Sequence, residues 1–353
     1  MPARSRILDE IAAAGGWITF ERYMQLALHE PGIGYYASGA RKFGARGDFV
    51  TAPELGPLFG RTLARELRGF DRILEFGAGS GALADVLTRE LKSEYLILET
   101  SADLRARQRD LLGDRVRHIE RLPENFRGAM IANEVVDAMP VHLLHWTADG
   151  IFERGVIAPL AWADRPAAGE LLARAKALEV SPPAVSPPYV SEINLAASAW
   201  MRSLVEALEE GAIFVFDYGF PRHEYYHPQR SSGTLMCHYR HQAHADPFAR
   251  PGEEDITAHV DFTALAEAAH DAGAEVLGYA TQAQFLVNCG IAEVLAETNA
   301  ENLLHYAPIA AQAQKLLSPA EMGELFKVLA VGKGLTEAGA LVGFTRGERS
   351  HSL

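Results

Sequence analysis

The run Ile73-Leu74-Glu75-Phe76-Gly77-Ala78-Gly79-Ser80-Gly81 decides the fold. Apolar residues closing a buried strand pass into three alternating glycines, and Ala82-Leu83-Ala84-Asp85-Val86-Leu87 then opens a helix. Glycine lets the backbone turn sharply and lets a ligand approach the peptide atoms. The helix N-terminus beyond it presents unpaired N–H groups. Strand, glycine turn and helix are the first half of a nucleotide-binding βαβ unit.

Taken alone the run is ambiguous. It reads G-x-G-x-G, and with Ala82 it also fits the G-x-G-x-x-A of dinucleotide enzymes; a glycine-rich structural turn is the plainest alternative. Two acids separate these readings. Glu75 precedes the first glycine, where a carboxylate suits a cationic ligand group better than a pyrophosphate. Tyr95-Leu96-Ile97-Leu98-Glu99 reads as a second strand ending in an acid, 22 residues after Gly77. That is the reach expected of an acid that binds ribose hydroxyls. Acid, glycine turn and second acid together resemble the S-adenosylmethionine site of class I methyltransferases.

The rest of the chain fits an α/β enzyme. Strands are expected near 72–76, 95–100, 115–119, 128–132 and 212–217, mostly separated by helices, which argues for a parallel sheet covered on both faces. Helical spacing marks 5–30, and Pro31-Gly32 stops its second helix. An ordered, docked loop follows, making 1–60 an N-terminal unit. The core is then expected over 61–220, with an insertion at 141–190. Within it, His142–Trp146 and Ile151–Val156 pair as a hairpin around Ala148-Asp149-Gly150. Residues 221–258 read as a loop or lid. Residues 259–335 complete the core around a helical insertion at 281–320, and 336–353 form a tail. Phe326–Val331 and Leu341–Phe344 compete as the last strand.

With 48% hydrophobic residues the 353-residue chain has ample material for a core. The net charge of −13 argues against general nucleic-acid affinity. No apolar run has the length of a membrane span. The start carries Asp9 and Glu10 and no signal-peptide pattern, so a cytoplasmic enzyme is expected. Cys237 and Cys289 have no metal or redox spacing, and the histidines at 223, 227, 238, 241, 244 and 259 form no zinc motif; no metal is expected.

Asn133-Glu134-Val135-Val136-Asp137-Ala138-Met139-Pro140 follows the fourth strand. Ligands in open α/β sheets bind outside the carboxyl ends of strands, so this segment faces the reacting groups. Glu134 and Asp137, three apart, share one helical face and suit a bidentate grip on a guanidinium. The plain alternative has Asn133 capping a helix and Asp137 pairing with a surface base. Thr51, in Gly47–Glu54, either caps a helix or belongs to a loop closing the cofactor site. Thr51 and Asn133 are further cofactor candidates. Phe216-Asp217-Tyr218-Gly219 ends the fifth strand at the active-site rim. His241 and His259 are candidates for the substrate pocket, with His259 as an imidazole able to accept a proton.

The chain resembles the MidA family of class I methyltransferases. The matching segments are 19–36 (Thr-Phe-Glu-Arg-Tyr-Met…Gly-Tyr-Tyr), Gly47–Glu54, Glu75–Gly81, Asn133–Pro140, Asp217-Tyr218-Gly219, Gly233-Thr234-Leu235, Asp255–Phe262 and Met322–Val328. The last favours 326–331 as the final strand. The resemblance implies a Rossmann-like methyltransferase fold with added N-terminal and inserted helical elements. It implies S-adenosyl-L-methionine as donor, with S-adenosylhomocysteine as product, held through Glu75, Gly77, Gly79, Gly81 and Glu99. It suggests a protein arginine as acceptor, with Glu134 and Asp137 holding it. The family includes a mitochondrial complex I assembly factor that methylates an arginine of a core subunit, so a respiratory-complex subunit is the partner the resemblance offers. A cofactor-binding assembly module without turnover, or a small-molecule methyltransferase, are the rival readings.

Overall fold

The computed structural model describes residues 2–37, 51–178, 189–335 and 341–353. The N-terminal segment forms α1 (Pro2–Ala13), the two-residue strand β1 (Ile18–Thr19) and α2 (Phe20–His29). Thr19 caps α2 by accepting a hydrogen bond from the Arg22 N–H at 3.0 Å. Alternation then begins: α3 (Pro57–Glu66), β2 (Arg72–Phe76), α4 (Ala82–Glu90), β3 (Glu94–Leu98), α5 (Ala102–Leu112), β4 (Arg117–Ile119) and β5 (Phe126–Asn133).

A second sheet interrupts the core. It contains β6 (His142–Thr147), β7 (Gly150–Ile157), β8 (Ala161–Pro166) and, after α6 (Gly169–Ala177), β9 (Tyr189–Ile193). The expected hairpin is present, with Trp146 opposite Ile151 and Thr147 opposite Gly150. β1 pairs with β7, which ties the N-terminal helices to this sheet. Ser181-Pro182-Pro183 and Ser186-Pro187-Pro188, prolines that mark an extended connection by sequence, lie outside the described residues.

The chain returns through α7 (Leu195–Ala207) to β10 (Leu208–Phe220). Residues 221–258 are not a bare loop. They carry α8 (Arg222–Tyr225) and a three-stranded sheet of β11 (Met236–Tyr239), β12 (Gln242–His244) and β13 (Asp255–Thr257). A buried carboxylate organises this stretch. Glu192 on β9 accepts from the Thr234 and Leu235 N–H groups at 2.8 and 3.0 Å, and from the Tyr225 hydroxyl at 3.1 Å. Then come β14 (Val260–Asp261), α9 (Phe262–Asp271), β15 (Glu275–Thr281), the inserted helices α10 (Gln282–Asn288), α11 (Ile291–Ala296) and α12 (Leu303–Leu317), and β16 (Phe326–Lys333). β16 is the last strand; the rival Val342–Phe344 is a short 3-10 turn.

The central sheet runs β15-β16-β10-β5-β2-β3-β4. All its pairs from β10 to β4 are parallel, and β16 enters antiparallel between β10 and β15. Both faces are buried, so strands such as β10 are apolar on each side. Ala212, Phe214 and Phe216 pack with α3, α4 and the inserted helices, whereas Ile213 and Val215 pack with α7 and α9. From β2 the chain moves outward through β3 to β4, then crosses to β5 on the other side. The carboxyl ends of β2 and β5 are therefore the switch point where such folds bind ligands.

Candidate active site

One cavity opens at that switch point. Glu75, Gly77, Gly79, Glu99, Thr51, Asn133, Glu134 and Asp137 all line it, together with Glu54, Ser80, His29 and Tyr36. Of the expected cofactor, acceptor and substrate-pocket residues, Gly81, His241 and His259 are missing from its wall. Gly81 stands one residue before α4 as its cap, and all three glycines of the turn have positive φ (58°, 54° and 83°). That backbone is strained for any residue with a Cβ.

The cavity has two chemically distinct ends. At the first, Glu75 is buried at the end of β2 and accepts from the Tyr95 hydroxyl at 2.7 Å. Burial, with Glu99 nearby, pushes its carboxyl up to about 7 despite that bond. Glu99 follows β3 and accepts from the Ser101 N–H at 2.9 Å and the Gln108 amide at 3.2 Å. Burial raises its pKa too. The same Gln108 nitrogen donates to the Gly79 carbonyl at 2.9 Å, and His118 pairs with its oxygen at 3.0 Å. Gln108 thus ties the glycine turn to the acid, a role that sequence gave no sign of. The loop before α3 docks here as well: Ser80 donates to Glu54. The Thr51 side chain makes no capping bond and lines the cavity, while residues 47–50 of the expected loop lie outside the described residues.

The other end is built after β5. The helical face expected for Glu134 and Asp137 does not form. Residues 134–139 make a turn, with Glu134 at φ +52° and its N–H donating to the Phe216 carbonyl at 2.9 Å. Asp217 dictates this shape. Fully buried at the end of β10, it accepts from the Val136 and Asp137 N–H groups at 3.0 and 3.2 Å. The turn still brings both acids to the cavity. Burial, reinforced by Asp137, lifts Glu134 to about 8. Burial lifts Asp137 to about 6, against the opposing hydrogen bond from the Tyr218 hydroxyl at 2.5 Å. Tyr36 extends the cluster by donating to Asp255 Oδ1 at 2.8 Å.

His259 does not belong to this wall. Its ring is wedged edge-on against Tyr218 (5.1 Å) and stacked on Phe220 (5.2 Å), and it faces a neighbouring cavity with Arg222 and Tyr226. Burial first, then Arg230, lowers its pKa to about 4. His241 sits in the β11–β12 hairpin turn with φ +63°, exposed. Cys237, His244 and Glu254 bring donor atoms within 4.8 Å of one another, although no sequence spacing announced it. His244 Nδ1 accepts from the Asp246 N–H at 3.3 Å and its Nε2 pairs with Glu254 at 3.0 Å. With Nδ1 accepting, the ring proton sits on Nε2, facing Glu254.

Residues 58–280 match the Methyltransf_28 family of S-adenosyl-L-methionine-dependent methyltransferases. The chain belongs to this family. A solved COG1565 superfamily protein from Burkholderia thailandensis, bound to S-adenosyl-homocysteine, shares the fold of the methyltransferase at a TM-score of 0.94 and 49% identity, covering 100% of this chain and 96% of the other. Among curated proteins, the methyltransferase is 27% identical to the mitochondrial protein arginine methyltransferase NDUFAF7 of Danio rerio, over 92% of this chain and 86% of that one. It is 28% identical to the Drosophila melanogaster homologue, over 92% and 83%. The methyltransferase uses S-adenosyl-L-methionine, and its cavity fits that molecule: a turn of exposed backbone, an acid after β3 at ribose reach, and a buried acid beside them.

Proposed function

We propose that this methyltransferase modifies the guanidinium of an arginine in a protein. The observation that carries the reading is the polarity of the cavity beyond β5. Asn133 Oδ1 and Asp137 Oδ1 are buried without a hydrogen-bond partner, and Glu134 Oε2 accepts no bond from the described residues. No lysine or arginine is among the described lining residues. Unsatisfied buried acceptors with no lysine or arginine beside them call for a cationic ligand rich in donors. Guanidinium has five N–H donors and no acceptor, and two carboxylates hold it bidentately. The curated relatives named protein arginine methyltransferases support the same acceptor.

In this reading Glu75 meets the cationic amino group of the cofactor and Glu99 its ribose hydroxyls. Gly77, Gly79 and Gly81 give room at the turn, and Thr51 and Asn133 close the site. When bound, the cofactor supplies an electrophilic methyl group on sulfur. Glu134 and Asp137 fix the acceptor nitrogen toward it, and such positioning is the protein's main contribution to a bimolecular transfer. Guanidinium has a pKa above ~12, so the carboxylates act by orienting it and by stabilising charge rather than by prior deprotonation, and the proton that the methylated nitrogen loses passes to one of them.

The test is to incubate the purified protein and a protein lysate with labelled methyl donor, hydrolyse the product and identify the labelled amino acid. Methylarginine is expected. Label in methyl-lysine or in a small molecule would refute the acceptor, and cofactor binding with no label would favour an assembly module.

A further inference from the structure

One wall of the cavity comes from outside the matched core. His29 closes α2, a helix that precedes residues 58–280, yet it lines the cavity with Glu134 and Asp137. Its orientation is fixed twice. Its ring stacks on Tyr36 with centroids 5.5 Å apart and planes 16° apart, and Tyr36 is itself held by Asp255. Its Nε2 lies 3.1 Å from the Ala138 carbonyl, one residue beyond Asp137.

A carbonyl only accepts, so Nε2 carries the ring proton, and Nδ1 of the neutral ring is a lone pair. Among the described residues Nδ1 has no hydrogen-bond partner. Burial, against the opposing hydrogen bond to Ala138, lowers the pKa of the ring and so favours its neutral form. We infer that His29 completes the acceptor site from the N-terminal unit, its Nδ1 accepting a hydrogen bond from the guanidinium that Glu134 and Asp137 hold. This rests on the guanidinium reading above. It adds a directional, uncharged acceptor to the two carboxylates. It also makes the N-terminal helices part of substrate selection rather than a scaffold alone.

Three conjugates of 5′-deoxyadenosine test it by calorimetry on the full-length chain: one with a short alkyl tether ending in guanidine, one ending in a primary amine and one ending in methyl. The wild-type protein should bind the guanidine conjugate more tightly than the other two. His29→Phe keeps the ring stacked on Tyr36 and removes both nitrogens. It should cut the preference for guanidine over methyl by about tenfold, the equivalent of one charge-assisted hydrogen bond, and leave the methyl-ended conjugate unaffected. His29→Gln, whose amide offers a donor for Ala138 and an acceptor for the ligand, should keep most of the preference. A wild-type protein with no guanidine preference would overturn the acceptor reading itself, and this inference with it. A wild-type preference that persists undiminished in His29→Phe would overturn the role of His29 alone. So would equal weakening of all three conjugates in both variants.

Discussion

Glu134 carries both the charge and the strain of the site. A non-glycine residue in the left-handed region costs on the order of 1–3 kcal/mol and persists where its surroundings hold it. Glu134→Gln keeps the shape and removes the charge. Single-turnover methyl transfer to an arginine acceptor should fall on the order of a hundredfold, as when one preorganised polar group is lost, while S-adenosylhomocysteine affinity stays near wild type. Parallel loss of both would move Glu134 to the donor end. Glu99→Ala should weaken cofactor binding by about 1.5–3 kcal/mol, read by calorimetry; unchanged affinity would remove Glu99 from the site. These acids were legible because each directly follows a strand in a short local pattern. Sequence reading puts Asp217 at the rim, but its hold on the turn at 134–139 was not legible, nor were the roles of Gln108 and His29. Asp217 meets its partners 81 and 80 residues away and His29 its partner 109 residues away, whereas Gln108 lies within 29 residues of its partners but follows no motif that announces them.

At the scale of elements, the turn after β5 shows where pattern reading failed. The three-residue spacing of Glu134 and Asp137 fits a helix, but Asp217 captures two N–H groups and bends the backbone into a turn. The carboxylates line the cavity all the same. Likewise 221–258 has the polarity of a loop, yet folds because Glu192 gathers its N–H groups from another sheet. Glu192→Ala leaves those donors buried without an acceptor. We expect a loss of about 2–4 kcal/mol in urea unfolding, since hydrogen bonds to a charge are worth ~1.5–3 kcal/mol each and do not add fully. A change below about 1 kcal/mol would mean that β11–β13 does not depend on it.

For the whole molecule, strand and helix alternation made the central sheet legible, but not the antiparallel insertion of β16, because strand direction leaves no mark in apolar runs. The same fold concentrates raised carboxyl pKa values: Glu75 about 7, Glu134 about 8 and Asp137 about 6. Between the ordinary carboxylate range and these values, the native state binds more protons than the unfolded one. Stability of the ligand-free protein should therefore fall as pH rises through that window. Thermal melts at about pH 6 and about pH 8.5 should show it, and Glu75→Gln should flatten the slope. Affinity for S-adenosylhomocysteine, whose amino group favours the ionised Glu75, should rise across the same range; a flat affinity profile would separate Glu75 from the ligand.

The clustered acids around the cavity also make the ligand-free enzyme a small acid reservoir. Each entering cation must evict hydrogen ions to the solvent, and the surrounding buffer absorbs them. Heats of ligand binding measured in phosphate and in Tris should therefore disagree while the dissociation constants agree. The disagreement, divided by the difference in buffer ionisation enthalpy, counts the hydrogen ions released per ligand bound.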